Sequence, residues 1–299
     1  MSFPVPLPHL LFVASALLLA VGAVLTKLLL SPDMNLGRAI HPLPLLTLQL
    51  LGGVTMLVAV NRWRGLGPAP VSGAVSTGII LGLGSIGTIM ALAFTSASEA
   101  AVVFAMQPVV ILGLAWLVLG ERFGITVAVL AIVSVLGVVM IVVSGNAAMS
   151  ANRPLGLAFA ALSTTLAALY TVRMRQLGNR GDMITALLAV QMTACAIVAT
   201  VWAMAVAMGI AAPGLGSVSM ALSAFAIGMV YYGAAFLIYM IGLRRTEASQ
   251  AGIYLSLVPV FTIGLAAAIL SERLTASQLI GSALVVASVA GITYRSRSS

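Results

Sequence analysis

A stretch in the first half of the chain recurs without gaps near its carboxyl end. Residues 95–122 read TSASEAAVVFAMQPVVILGLAWLVLGER, and residues 246–273 read TEASQAGIYLSLVPVFTIGLAAAILSER. Pro108 meets Pro259 in this alignment, and the closing pair Glu121 and Arg122 meets an identical pair in the second copy. A duplicated apolar hairpin with a proline inside it is typical of a membrane protein built from two halves, and such halves usually form a transporter.

The composition excludes an ordinary soluble domain. The 299 residues are 62% hydrophobic and only 7% charged, and the mean hydropathy is +1.19. Such a chain has too little charge to cover a soluble surface, whereas apolar stretches of about 20 residues can each cross a bilayer. The net charge of +8 therefore indicates membrane topology rather than nucleic-acid binding. We predict the lipid bilayer as a partner and no nucleic acid.

The apolar stretches predict an all-α membrane protein with ten transmembrane helices. The predicted spans, by residue number, are 10–30, 43–60, 71–95, 97–119, 123–143, 155–172, 184–208, 218–243, 248–270 and 276–294. Turn-forming residues at 146–154 link two five-helix repeats, which we assign to residues 9–145 and 153–296.

Most lysines and arginines fall on one side of the membrane if the amino terminus is inside, so both termini are predicted to be cytoplasmic. Because five is an odd number, the second repeat enters the membrane from the opposite side and is inverted relative to the first. Two inverted halves around a central cavity can exchange conformations, which would open that cavity to each side in turn.

Pro108 and Pro259 fall at the middle of predicted helices four and nine. Each proline lacks an N–H, so the carbonyls of Phe104 and Leu255 lose their usual helical partners. A neighbouring side chain could satisfy these carbonyls at a simple kink. Alternatively, they face a cavity and accept hydrogen bonds from a substrate ammonium group.

Three of the glutamines within the predicted spans are candidates for polar contacts inside the membrane. Gln49 and Gln191 occupy matching positions in helices two and seven, and we interpret both as structural residues that hydrogen-bond between helices. Gln107, next to Pro108, is the better candidate for contact with a ligand.

Aromatic residues follow one face of predicted helix eight at helical spacing. The members of this stripe are Phe225, Met229, Tyr232, Phe236 and Tyr239. The stripe could be ordinary packing, or it could line a cavity for planar apolar groups, to which Tyr170 and Tyr254 would add hydroxyls.

No acidic residue lies in the middle of a predicted span, and the basic residues also stay near the span ends. An uncharged cavity suits a neutral or zwitterionic solute, because a proton-driven carrier of organic cations normally keeps a carboxylate in the membrane. Lys27 and Arg173 lie near opposite faces and could act at gates, although snorkelling is the simpler interpretation. No cluster of residues suggests a metal, a cofactor or a catalytic centre, so we predict no enzyme.

The pattern of an alanine- and serine-rich start, a central proline, a glycine and a closing Glu-Arg pair resembles the EamA repeat of the drug/metabolite transporter superfamily. The specific part is 97–122 with its copy 248–273. Within the superfamily, the chain is most similar to the aromatic amino-acid exporters called YddG. The resemblance implies an inner-membrane exporter with an apolar cavity lined by both halves. Gln49 and Gln191 depart from the pattern, because many EamA repeats carry an arginine there.

Together these observations predict a bacterial inner-membrane carrier, monomeric, that exports amino acids, aromatic ones among them, by alternating access. Movement is expected to be facilitative or by exchange, because no buried carboxylate is present. The alternative is export of other neutral metabolites or drugs.

Overall fold

The structure of the protein is a computed structural model. It describes residues 7–30, 41–94, 103–143, 153–210, 217–270 and 275–298, and every regular element in them is helical. The start of the predicted fourth span and most of the predicted link between the repeats lie outside the described residues.

The helices are numbered α1 to α10 in chain order. Their bounds are Leu7–Leu30 (α1), Pro42–Arg64 (α2), Val71–Phe94 (α3), Gln107–Leu119 (α4), Ile125–Val143 (α5), Arg153–Arg180 (α6), Met183–Ala207 (α7), Val218–Leu243 (α8), Ala248–Tyr254 followed by Leu257–Leu270 (α9), and Ala276–Ser298 (α10). Nine of these are long and apolar enough to cross a membrane, and α4 is shorter within the described part of the chain. The predicted all-α membrane fold is therefore confirmed.

The two copies of the duplicated motif are broken rather than kinked, at places that lie one residue apart in their alignment. Residues 105–106 and 255–256 form turns, after which helix resumes at Gln107 and at Leu257. Pro108 stands in the first turn of the resumed segment, and Pro259 occupies the matching place. A proline is tolerated there because the first N–H groups of a helix have no partner within that helix.

Two helices differ from the sequence prediction in other ways. α6 continues to Arg180, well past the predicted end at residue 172, because helix need not stop where the apolar region stops. Within α8, the segment Met229–Ala235 is π-helix, which has a wider turn than the α-helix. The wider turn changes which side chains share a face. Met229 of the predicted stripe is 37% exposed.

The helices pair in a pattern that is unchanged when the two repeats are exchanged. α3 packs against α6 and α7, and α8 packs equivalently against α1 and α2. α2 packs against α7 and α5 against α10, so these contacts join equivalent helices. Since each repeat contributes five helices, the two repeats cross the membrane in opposite directions.

The contact between α5 and α10 depends on two glycines. A Cβ atom added at Gly137 would lie 2.6 Å from the carbonyl oxygen of Gly281, and a Cβ at Gly281 would collide with the carbonyl oxygen of Gly137. The two backbones can approach this closely only without side chains, which is the usual basis of tight helix pairs in membranes.

Candidate functional site

The candidate site is a cluster of aromatic side chains from α6 and α8. The rings of Tyr232 and Phe236 are 5.4 Å apart, and Tyr170 lies 5.9 Å from Phe236. Tyr231 contacts Tyr232 and Phe236 at 4.9 and 6.3 Å. We call these four residues the aromatic cluster. Tyr231 was missed from the sequence because it lies off the helical stripe, and the π-helical turn brings it beside the others.

Two hydroxyl groups at this cluster are buried and have no hydrogen-bond partner among the described residues. They belong to Tyr170 and Tyr239, each only 5% exposed. The two tyrosines lie close to each other, and the side chain of Thr171 lies near the Tyr239 hydroxyl without forming a hydrogen bond of good geometry with it. A buried hydroxyl left unpaired costs about 1–3 kcal/mol, so this pair favours binding of water or of a polar group on a ligand.

Tyr254 has a different environment from the other tyrosines. Its hydroxyl lies 2.6 Å from His9 Nδ1 and 2.6 Å from Thr293 Oγ1, so α1, α9 and α10 meet at this group. Its ring stacks on Phe12, which in turn contacts Tyr239. A ligand could use this hydroxyl only by displacing one of these partners. His9 and Tyr254 are 245 positions apart in the chain, so no local sequence pattern pairs them.

The residues around the two helix breaks are not gathered at one point. Phe104 packs with Ala91, Ala160 and Phe159, in a cluster separate from the main core. Leu255 instead packs against the main core, which contains Tyr170 and Tyr232.

The remaining residues at the breaks differ in exposure. Pro108 is buried, whereas Gln107 and Pro259 are half-buried. The carbonyl of Leu255 is not left without a partner, because it accepts from the N–H of Val258 at 3.1 Å. The predicted role of the Phe104 and Leu255 carbonyls in binding stays a prediction.

The matched glutamines are both buried and both donate hydrogen bonds to a neighbouring helix. Gln49 Nε2 lies 2.7 Å from Thr26 Oγ1 on α1. Gln191 Nε2 donates to the backbone carbonyl of Tyr232 at 3.2 Å, within the π-helical segment of α8. The Oε1 atom of Gln191 has no partner among the described residues. Gln191 therefore supports the backbone at the aromatic cluster.

Polar contacts that the sequence did not reveal join the helices at the end of the bundle where α6 and α8 finish and α7 and α9 begin. Arg175 on α6 donates to the carbonyls of Leu243 and Arg244, at 2.8 and 2.5 Å, where α8 ends. Arg173, the predicted gate residue, is exposed and donates to Gln176 on its own helix at 3.4 Å. The side chain of Lys27 lies outside the described residues.

Asp182 makes a second set of contacts at this end. Its Oδ1 accepts from the N–H groups of Ile184 and Thr185, at 2.9 Å each, and so caps the start of α7. Its Oδ2 lies 3.4 Å from Arg64 of the other repeat. Partial burial raises the pKa of Asp182, but these hydrogen bonds and the guanidinium outweigh it, so the pKa is lowered overall.

A third contact at this end also joins the repeats. The carboxylate of Glu121, just after α4, accepts from the N–H groups of Ala248 and Ser249, at 3.0 and 3.1 Å. These two groups begin α9, so a residue of the first repeat caps a helix of the second.

No curated protein matches the chain. It is similar to a solved crystal structure at 21% identity, with a TM-score of 0.80, over 96% of this chain and 98% of that one. The model of the EamA-like transporter family matches residues 7–143 and 154–294. The chain therefore belongs to the EamA-like transporter family, whose members are drug and metabolite transporters.

Proposed function

We propose that the protein exports neutral or zwitterionic amino acids, aromatic ones among them, by alternating access. The observation that carries this proposal is the pair of unpartnered buried hydroxyls, Tyr170 and Tyr239, beside the aromatic cluster. An aromatic surface accepts a planar apolar side chain, and tyrosine hydroxyls can donate to a carboxylate. For the substrate ammonium group we propose the carbonyl of Leu255, which packs against the same core as Tyr170 and can accept a second hydrogen bond beside the one from Val258.

The charge distribution supports facilitated movement or exchange rather than proton-driven transport. In the sequence, all six acidic residues fall at the ends of the predicted spans or between them, so the middle of each predicted span lacks a carboxylate that could carry a proton through the membrane. Lysine and arginine are in excess on the side of the membrane where α6 and α8 end. This excess supports an inner-membrane orientation with both termini in the cytoplasm. We propose a monomer, because each chain contains both repeats.

Counterflow in proteoliposomes tests the substrate class. We expect unlabelled tryptophan or phenylalanine inside the liposomes to drive uptake of external labelled phenylalanine, with saturation. The alternative, export of other neutral metabolites or drugs, would be favoured if unrelated neutral solutes competed and aromatic amino acids did not. Uptake that an imposed pH gradient drives, and that stops when the gradient collapses, would contradict the absence of proton coupling.

The contacts of Arg175 and Glu121 support a gate at the end of the bundle where α6 and α8 finish. Arg175 joins α6 to the end of α8, and Glu121 joins the two repeats, so alternating access requires these contacts to break when this end opens. We expect Arg175→Gln to speed hydrogen–deuterium exchange over residues 240–250. Arg173→Gln, two positions away on the same helix, is the matched control and should leave exchange unchanged. Equal effects of both substitutions would contradict a gating role for Arg175.

A further inference from the structure

A cleft with a volume of about 340 Å³ lies between the ends of α2, α7 and α8, where the helices leave the predicted membrane region. Its charged lining consists of Arg64, Arg244, Arg245 and Asp182. Three guanidinium groups thus face one carboxylate, so the cleft favours an anion.

The arginines of this cleft differ in how they are already engaged. Arg64 lies beside Asp182, which also caps α7. Arg244 and Arg245 are exposed, and neither forms an ion pair with a carboxylate in the described part of the chain. Basic residues often stand at a helix end to offset the helix dipole. Here Arg175 already donates to the carbonyls of Leu243 and Arg244, so the side chains of Arg244 and Arg245 are not needed for that contact.

Apolar side chains make up the rest of the lining. Met183 and Ile184 begin α7, and Met240 and Ile241 stand in the last turns of α8. A free phosphate or a soluble anion would leave this apolar half of the cleft without a complementary partner. A phospholipid carries a charged phosphodiester joined directly to apolar glycerol and acyl groups, so it matches both halves.

We propose that this cleft binds the headgroup of an anionic phospholipid from the leaflet at this end. The phosphodiester lies between the guanidiniums of Arg244 and Arg245, with Arg64 at the far side. The glycerol and first acyl carbons lie over Met240 and Ile241. Because the cleft is formed by α2, α7 and α8 together, a bound lipid bridges the two repeats.

The test uses the purified full chain in a nonionic detergent, titrated with dioleoyl phosphatidylglycerol. Melting temperature and native mass spectrometry report binding, with dioleoyl phosphatidylcholine and inorganic phosphate as separate arms. We expect phosphatidylglycerol alone to bind and to raise the melting temperature. The double substitution Arg244→Gln with Arg245→Gln should weaken apparent affinity at least about tenfold. The control, Arg122→Gln with Arg173→Gln, removes the same charge outside the cleft and should bind like the wild type.

Each other result overturns the proposal. Equal loss in both double variants would show attraction to overall charge alone. A rise in melting temperature with inorganic phosphate as large as with phosphatidylglycerol would show a soluble-anion site. Equal binding of phosphatidylglycerol and phosphatidylcholine would show that the cleft does not recognise the headgroup. If the double variant does not fold, the single variants Arg244→Gln and Arg245→Gln replace it, and unchanged affinity in both would contradict the site. None of these readouts involves transport, so failure here leaves the proposed function unaffected.

Discussion

The carboxylate of Glu121 accepts a hydrogen bond from the backbone N–H of Ser249 at 3.1 Å, across the boundary between the repeats. A second bond from Ala248 completes the cap on α9. The acidic residue that closes the first copy of the duplicated motif thus holds the start of the second copy. An anion at a helix start is stabilising because the partial positive charge of the helix lies there. Separating the repeats at this end breaks both bonds.

Glu121→Gln should therefore lower the stability of the fold and loosen the start of α9. The amide keeps one acceptor but loses the charge, which costs about 1–2 kcal/mol. Thermal unfolding in detergent and hydrogen–deuterium exchange over residues 248–254 measure the two effects. Glu247→Gln is the matched control, because Glu247 lies just before α9, is exposed, caps no backbone N–H with its side chain and accepts from Gln250 Nε2. A loss no larger than that of the control would refute the capping role.

Removing single tyrosine hydroxyls distinguishes the groups that bind a ligand from the groups that stabilise the fold. Tyr170→Phe and Tyr239→Phe remove groups without described partners, so stability should be kept or improved. If these hydroxyls bind the substrate, the transport KM should rise about tenfold, the equivalent of one lost hydrogen bond. Tyr254→Phe should instead reduce stability, because its hydroxyl contacts His9 and Thr293. An unchanged KM in both of the first two variants would remove the main support for the site.

The helical spans and the two repeats could be predicted because they depend on local composition and on an internal duplication. The site details could not, since they depend on tertiary contacts. Tyr231 joins the aromatic cluster through a π-helical turn, for which the sequence carries no periodic signal. Likewise, Arg175 and Arg173 look equivalent in the sequence, and only the end of α8 distinguishes them. The partners of Tyr254 lie at both ends of the chain, beyond any local pattern.

Acid should lower the stability of the fold through Asp182, which caps α7 and pairs with Arg64. Its folded pKa is lowered below the unfolded value of about 3.9, so its contribution to stability is present above that pH and is lost as pH falls through the folded pKa. Unfolding measured from pH 7 down to pH 3 should show this loss in the wild type. Asp182→Asn keeps an N-cap acceptor but cannot titrate, so its unfolding should depend less on pH over this range. The same pH profile in both proteins would contradict the assignment.

The packing of α5 on α10 makes the most direct structural prediction. In Gly137→Ala the new methyl group would lie 2.6 Å from the backbone carbonyl of Gly281, and backbone cannot rotate away as a side chain can. We expect a loss of about 1–3 kcal/mol, typical of overpacking. Gly113→Ala in α4 is the matched control, because nothing lies within 4 Å of a Cβ there. It should be neutral or stabilising by up to about 1 kcal/mol, since alanine favours helix over glycine. Thermal unfolding of both variants in the same detergent decides the matter, and equal melting temperatures would mean that α5 and α10 do not pack backbone against backbone.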